Sequence, residues 1–219
     1  MQKKWWKDSS LPLKDGPNKM NKIGVLGGSF DPVHLGHLSL AKDALVQGSL
    51  DQVIFMPVHR QPFKLNARLS SDEDRLAMLR EATQDVPGLA VSDWEIKNKG
   101  ISYTYLTLRA LKEQNKDAKI YFITGTDTFL KINIWKNATE LLSENNFIIG
   151  HRPGYREQEL YKRVAELNVK FDVEIQVINN TRLDISATEI RGIVSDGGAI
   201  SHLVPPGVER YIKKHGLYL

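Results

Sequence analysis

The chain of 219 residues contains no cysteine. That excludes disulfide staples, thiolate nucleophiles and cysteine-ligated metals. It also fits a reducing compartment, so a cytoplasmic location is expected. No apolar run approaches the roughly 18 residues that a membrane helix needs, so no membrane partner is expected. The apolar core of a secretion signal is missing from the first residues. A large excess of one sign of charge is lacking too. The net charge is +4, of which residues 1–20, with five lysines and two aspartates, supply +3. The rest of the chain is nearly neutral, so no broad field for nucleic acid is expected. Repeats and low-complexity segments are also lacking. With 41% hydrophobic and 26% charged residues, the composition is that of a soluble globular protein with one proper core.

The pattern that is present alternates. Residues 1–20, which include Trp5 and Trp6, have no periodicity and read as a flexible leader. Residues 21–219 read as one domain, with a C-terminal helical part at about residues 185–219. Short apolar runs predict strands at 22–26, 52–57, 89–92, 119–124, 147–150 and 174–178. Helical spacing predicts helices at 38–47 (Leu38, Ala41 and Leu45 on one face), 104–113, 157–167, 187–194 and 206–214. A further helix follows a capping box of Ser70 with Glu73. Strands alternating with helices give an α/β fold: a Rossmann-like doubly wound parallel sheet with a small C-terminal helical subdomain. Ligands of such sheets sit beyond the carboxyl ends of the strands. Polar clusters after Leu26, Pro57 and Thr124 share that edge.

The first of these clusters is the most informative stretch: Gly27-Gly28-Ser29-Phe30-Asp31-Pro32-Val33-His34-Leu35-Gly36-His37. A strand, a glycine turn and a helix start place backbone N–H groups and a positive helix end where a polyphosphate could lie. Gly27 and Gly28 allow close approach of backbone to ligand. His34 and His37, three apart, project from one side of the first helical turn, and Gly36 leaves bare backbone between them. Taken singly, such a histidine is also an ordinary cap or surface residue. A His-x-x-His pair falls short of the three or four ligands that zinc requires. Far along the chain, Ile185-Ser186-Ala187-Thr188-Glu189-Ile190-Arg191 reads as a capped helix start (Ser186 with Glu189). The same residues offer hydroxyl, backbone and guanidinium donors for a second anion site.

Together the two strings resemble the (H/T)xGH and ISxTxxR signatures of the nucleotidyltransferase superfamily. Ser102-Tyr103-Thr104, Gly125-Thr126-Asp127, Trp135, His151-Arg152-Pro153-Gly154-Tyr155 and the ending Leu203-Val204-Pro205…Gly216-Leu217-Tyr218 are similar to the matching segments of bacterial nicotinate-nucleotide adenylyltransferases. The resemblance spans residues 22–218. It implies adenylyl transfer from ATP to nicotinate mononucleotide, giving nicotinate adenine dinucleotide and pyrophosphate in NAD biosynthesis. ATP is then a substrate, Mg²⁺ is bound mainly through its phosphates with no protein metal site, and NAD is not a cofactor. Nicotinamide mononucleotide and phosphopantetheine are the alternative acceptors, and a non-catalytic nucleotide sensor of the same fold is the rival class.

The resemblance also implies roles. His37 would donate to the α-phosphate, supported by His34, and Arg191 completes the catalytic set. Gly27, Ser29, Phe30 and Gly36 would line the turn, Gly125 and Asp127 the adenosine, and Ser186, Thr188 and Arg191 the β- and γ-phosphates. On the acceptor side, Ser29, Lys64, Tyr103, Thr104, Trp135 and Arg152 are expected, with Trp135 stacking on the pyridine. Lys64 and Arg152 read equally well as surface cations, and Trp135 as a core residue. Two departures stand out: Ser29 replaces a usual threonine, and Phe63 stands where the family's acceptor loop carries a histidine.

Overall fold

The computed structural model describes residues 21–60, 62, 69–152, 154–180 and 185–219. Residues 1–20, Phe63 and Lys64 therefore lie outside the described residues. In chain order the elements are β1 (Asn21–Gly28), α1 (Leu35–Gln47), β2 (Gln52–Pro57), α2 (Asp72–Thr83), β3 (Leu89–Val91), α3 (Trp94–Asn98), α4 (Thr104–Gln114) and β4 (Ala118–Gly125). There follow α5 (Thr126–Leu130), a 3₁₀ turn (Ile132–Ile134), α6 (Ala138–Glu144), β5 (Asn146–His151), α7 (Glu157–Lys170), β6 (Ile175–Asn179), α8 (Ala187–Ser195) and α9 (Pro206–His215).

The six strands form one sheet in the order β3-β2-β1-β4-β5-β6, parallel throughout. This is the expected doubly wound sheet. Its strands are apolar on both faces because helices cover both. Successive side chains alternate sides: in β4, Ile120 and Phe122 join one core cluster, Tyr121 and Ile123 the other. The side under α1 and α2 also takes Ile190 of α8 and Val208 and Ile212 of α9. The other side takes Leu108 and Leu111 of α4 and Leu160 of α7.

The order of strands reverses between β1 and β4. Leu26 lies level with Ile123, so both strands release their chains at the same edge, β1 into Ser29 and β4 into α5. That switch point is where a crevice opens.

Several local expectations shift. α1 starts at Leu35, three residues before the apolar periodicity, because His34 serves as its N-cap. Ala44 rather than Leu45 is its fully buried third position. The hydroxyl that caps α2 belongs to Ser71, which accepts from Asp74 N, so the cap lies one residue later than the Ser70/Glu73 pattern indicates. Four short elements, α3, α5, the 3₁₀ turn and α6, carry too few turns for a periodic signal.

Candidate active site

Two cavities open at the switch point and share a wall. One, of about 350 Å³, is lined by Gly27, Ser102, Tyr103, Thr104, Trp135 and Lys136 among others. The second, of about 450 Å³, is lined by His34, Gly36, Asp127, Arg152, Tyr155 and Ser186 among others. His37, Leu40, Gly125 and Thr128 line both. His37 therefore stands where the cavities meet.

The two histidines face each other, with ring centroids 3.7 Å apart and planes 25° apart. Phe30, whose φ is +50°, turns its ring under this pair, edge-on to His37 at 4.9 Å. His37 Nδ1 accepts the His34 backbone N–H at 3.4 Å. A backbone amide only donates, so Nδ1 carries no hydrogen and Nε2 carries the one that neutral imidazole has. Burial, then the neighbouring His34, hold His37 well below the usual imidazole value, while burial lowers His34 to about 4. Both rings are thus neutral near pH 7.

The first helical turn offers fewer amides than the sequence suggests. Leu35 N–H donates to Leu203 O at 2.9 Å, and His37 N–H returns to His34 O at 3.0 Å. Ser186 caps α8, accepting from Glu189 N at 3.1 Å. Arg191 bridges the two distant strings: one nitrogen donates to Asp31 O at 2.7 Å, another to Thr188 Oγ1 at 3.2 Å.

The cytidylyltransferase-like family profile matches residues 25–193. A probable nicotinate-nucleotide adenylyltransferase of Clostridium novyi is 38% identical over 199 residues, which cover 91% of this chain and 100% of that protein. One from Desulfitobacterium hafniense is 40% identical, covering 90% and 95%. The chain belongs to the nicotinate-nucleotide adenylyltransferase family. The fold is shared with the Plasmodium falciparum nicotinic acid mononucleotide adenylyltransferase solved with NaAD (TM-score 0.74, 23% identity, 90% and 97% covered).

Of the residues that the family resemblance singled out, His34, Gly36, His37, Gly125, Asp127 and Ser186 meet around the second cavity. Tyr103, Thr104 and Trp135 meet around the first. Ser29, Thr188 and Arg191 line neither cavity, and Gly27 lines the first. Arg152 lines the second cavity and lies 4.6 Å over the Tyr155 ring. The Phe30 ring is buried in the core, so only its backbone could meet a ligand. Asp127 accepts from Tyr155 Oη at 3.0 Å and from Arg156 at 3.1 Å, which fixes its carboxylate at the rim.

Sequence reasoning missed the groups behind these walls. Arg75, 1% exposed, donates to Ser29 O at 2.8 Å and pairs with Asp72. Asp72 in turn meets His59 Nδ1 at 2.5 Å. Glu95, buried beneath the first cavity, accepts from Thr107 Oγ1 at 2.5 Å, and burial raises its carboxyl above the usual range. An arginine or glutamate in a mixed helical pattern gives no sign that it is buried.

The neutral histidine pair makes stability fall in acid. The unfolded chain takes up protons below about pH 6.5, whereas folded His34 refuses them until about pH 4. The contribution is complete above 6.5 and lost as pH drops towards 4, roughly 3 kcal/mol for this one group. Denaturant titrations at pH 7 and pH 4.5 are expected to show that loss, with a shallower acid limb in His34→Gln. Equal acid limbs would assign the loss to other groups.

Proposed function

We propose that the chain transfers the adenylyl group of ATP to nicotinate mononucleotide, releasing pyrophosphate and forming nicotinate adenine dinucleotide. The observation that carries this reading is the meeting of two cavities at His37, one rimmed by Asp127, Arg152 and Ser186, the other by Trp135 and the first turn of α4. The adenosine triphosphate occupies the former and the mononucleotide the latter. The family relatives' names supply the acceptor.

The chemistry asks little of side chains as acids or bases. A phosphate oxygen of the acceptor is anionic at neutral pH and attacks the α-phosphorus. The bond to the bridging oxygen breaks and pyrophosphate departs with the negative charge. The work is alignment of two anions and stabilisation of charge spreading over the α-phosphate. A neutral His37 with its hydrogen on Nε2 suits a donor to a non-bridging oxygen. Arg191 and the start of α8 suit the β- and γ-phosphates. Among the described residues no group of three or more His, Asp or Glu side chains could hold a metal ion. Mg²⁺ would arrive on the ATP phosphates, whose charge it neutralises.

First-turn amides of α4, beginning at Thr104, suit a carboxylate on the pyridine ring. A carboxamide would present N–H groups to these donors, which favours nicotinate over nicotinamide. A coupled pyrophosphate-release assay with ATP and each of nicotinate mononucleotide, nicotinamide mononucleotide and phosphopantetheine tests the reading. Turnover is expected to be greatest with the first; preference for either of the others would overturn it.

Gly125 provides a cleaner probe of the shared wall. Its backbone is extended (φ −88°, ψ 165°), and a Cβ there would meet nothing within 4 Å. Gly125→Val is therefore expected to fold with a near-normal melting midpoint while its branched side chain fills ligand space. An increase of about tenfold or more in KM for ATP is the expected result. An unchanged KM would place the adenosine elsewhere.

A further inference from the structure

Beyond α9 the chain turns back towards the catalytic turn. Tyr218 adopts a φ of +69°, a conformation that a residue with a Cβ keeps only where its surroundings enforce it. Its hydroxyl donates to Asp31 Oδ1 at 2.6 Å. Asp31 is 2% exposed, and a carboxylate so buried is costly unless its oxygens are bonded. Its second oxygen accepts Ser70 N–H at 3.2 Å, and its main-chain carbonyl accepts the Arg191 bond described above. Burial, then the bond to Asp31, push the Tyr218 phenol far above its ordinary value, so it remains a donor. Neither Asp31 nor Tyr218 lines either cavity.

Asp31 sits three residues before His34, on the short connection between β1 and α1. Its ties come from three directions: the start of α2, α8 and the C-terminal segment. The Tyr218 bond is the shortest of them. We propose that Tyr218 is a positioning residue of the catalytic turn, its hydroxyl holding Asp31 so that His34 and His37 enter the cleft stacked and in line. The proposal rests on the adenylyl-transfer reading for its effect on rate, but not for its effect on the histidines.

The test uses Tyr218→Phe in the full chain, which keeps the ring and removes only the hydroxyl. Asp31→Asn weakens the same bond from its other end, and carries the test if Tyr218→Phe does not fold. Three quantities are read: kcat with both KM values, the melting midpoint, and the NMR titration of the His34 imidazole without substrate. Expected for either variant are a kcat lower by about tenfold, KM values within about twofold, and a His34 midpoint moved up from about 4 towards the free imidazole value. A lower melting midpoint with wild-type kcat and His34 titration would reduce Tyr218 to a structural tie and overturn the proposal. So would a loss of kcat with His34 unmoved. If the wild type does not use nicotinate mononucleotide and the His34 midpoint still rises in the variants, the activity reading fails while the positioning role stands.

Discussion

Replacing His37 by alanine is expected to lower kcat by about a thousandfold while changing KM for ATP by less than about threefold. The asymmetry follows from where the ring stands. It lies at the junction of the cavities, where, on the proposed reading, charge accumulates only as the α-phosphate passes from one partner to the other. The surrounding apolar wall makes a fixed N–H donor more effective there than it would be in water. With ATP in the second cavity, as proposed, the remaining contacts there would hold its ground state. Because the ring also packs on Phe30 and accepts the His34 amide, the melting midpoint must be followed in parallel. Comparable losses in kcat/KM and in ATP affinity, with kcat intact, would make His37 a binding residue and remove the central element of the mechanism.

Trp135→Ala is expected to act on the other substrate. Stacking of a base on an aromatic face is worth about 1–3 kcal/mol, so KM for nicotinate mononucleotide should rise by about ten- to a hundredfold, with KM for ATP within about twofold. The indole lies edge-on to Phe122 at 6.0 Å and 69°, which sets the plane of the ring. It is half-buried, packed on one side against the core while also lining the first cavity. Trp135→Phe should recover part of the loss. If the alanine variant merely melts earlier and its KM for the acceptor stays put, Trp135 belongs to the core.

Much of this was legible because it is local. Glycines after an apolar run, two imidazoles three apart and a hydroxyl before an amphipathic helix each announce themselves within a few residues. The sheet, too, declares itself through six short apolar runs. What escaped was set by pairings between distant positions. Asp31 and Tyr218 are separated by 187 residues, Arg75 and Ser29 by 46, and no local pattern marks any of them as partners. The backbone hides other features. Phe30 occupies a positive φ, and Asn137, the N-cap of α6, lies in the left-handed region, so neither position follows ordinary propensity. Arg152 belongs with these: its motif places it after a strand end, but its packing over the Tyr155 ring and the bond from Tyr155 to Asp127 are tertiary contacts with no local signal.

The common wall of the two cavities has a consequence for what leaves the enzyme. On the proposed assignment each reactant takes a single chamber, whereas the dinucleotide bridges both through one covalent spine and so engages its two halves with no second loss of translational freedom. The outgoing compound is therefore expected to bind more tightly than either incoming one and to inhibit the forward reaction as it accumulates.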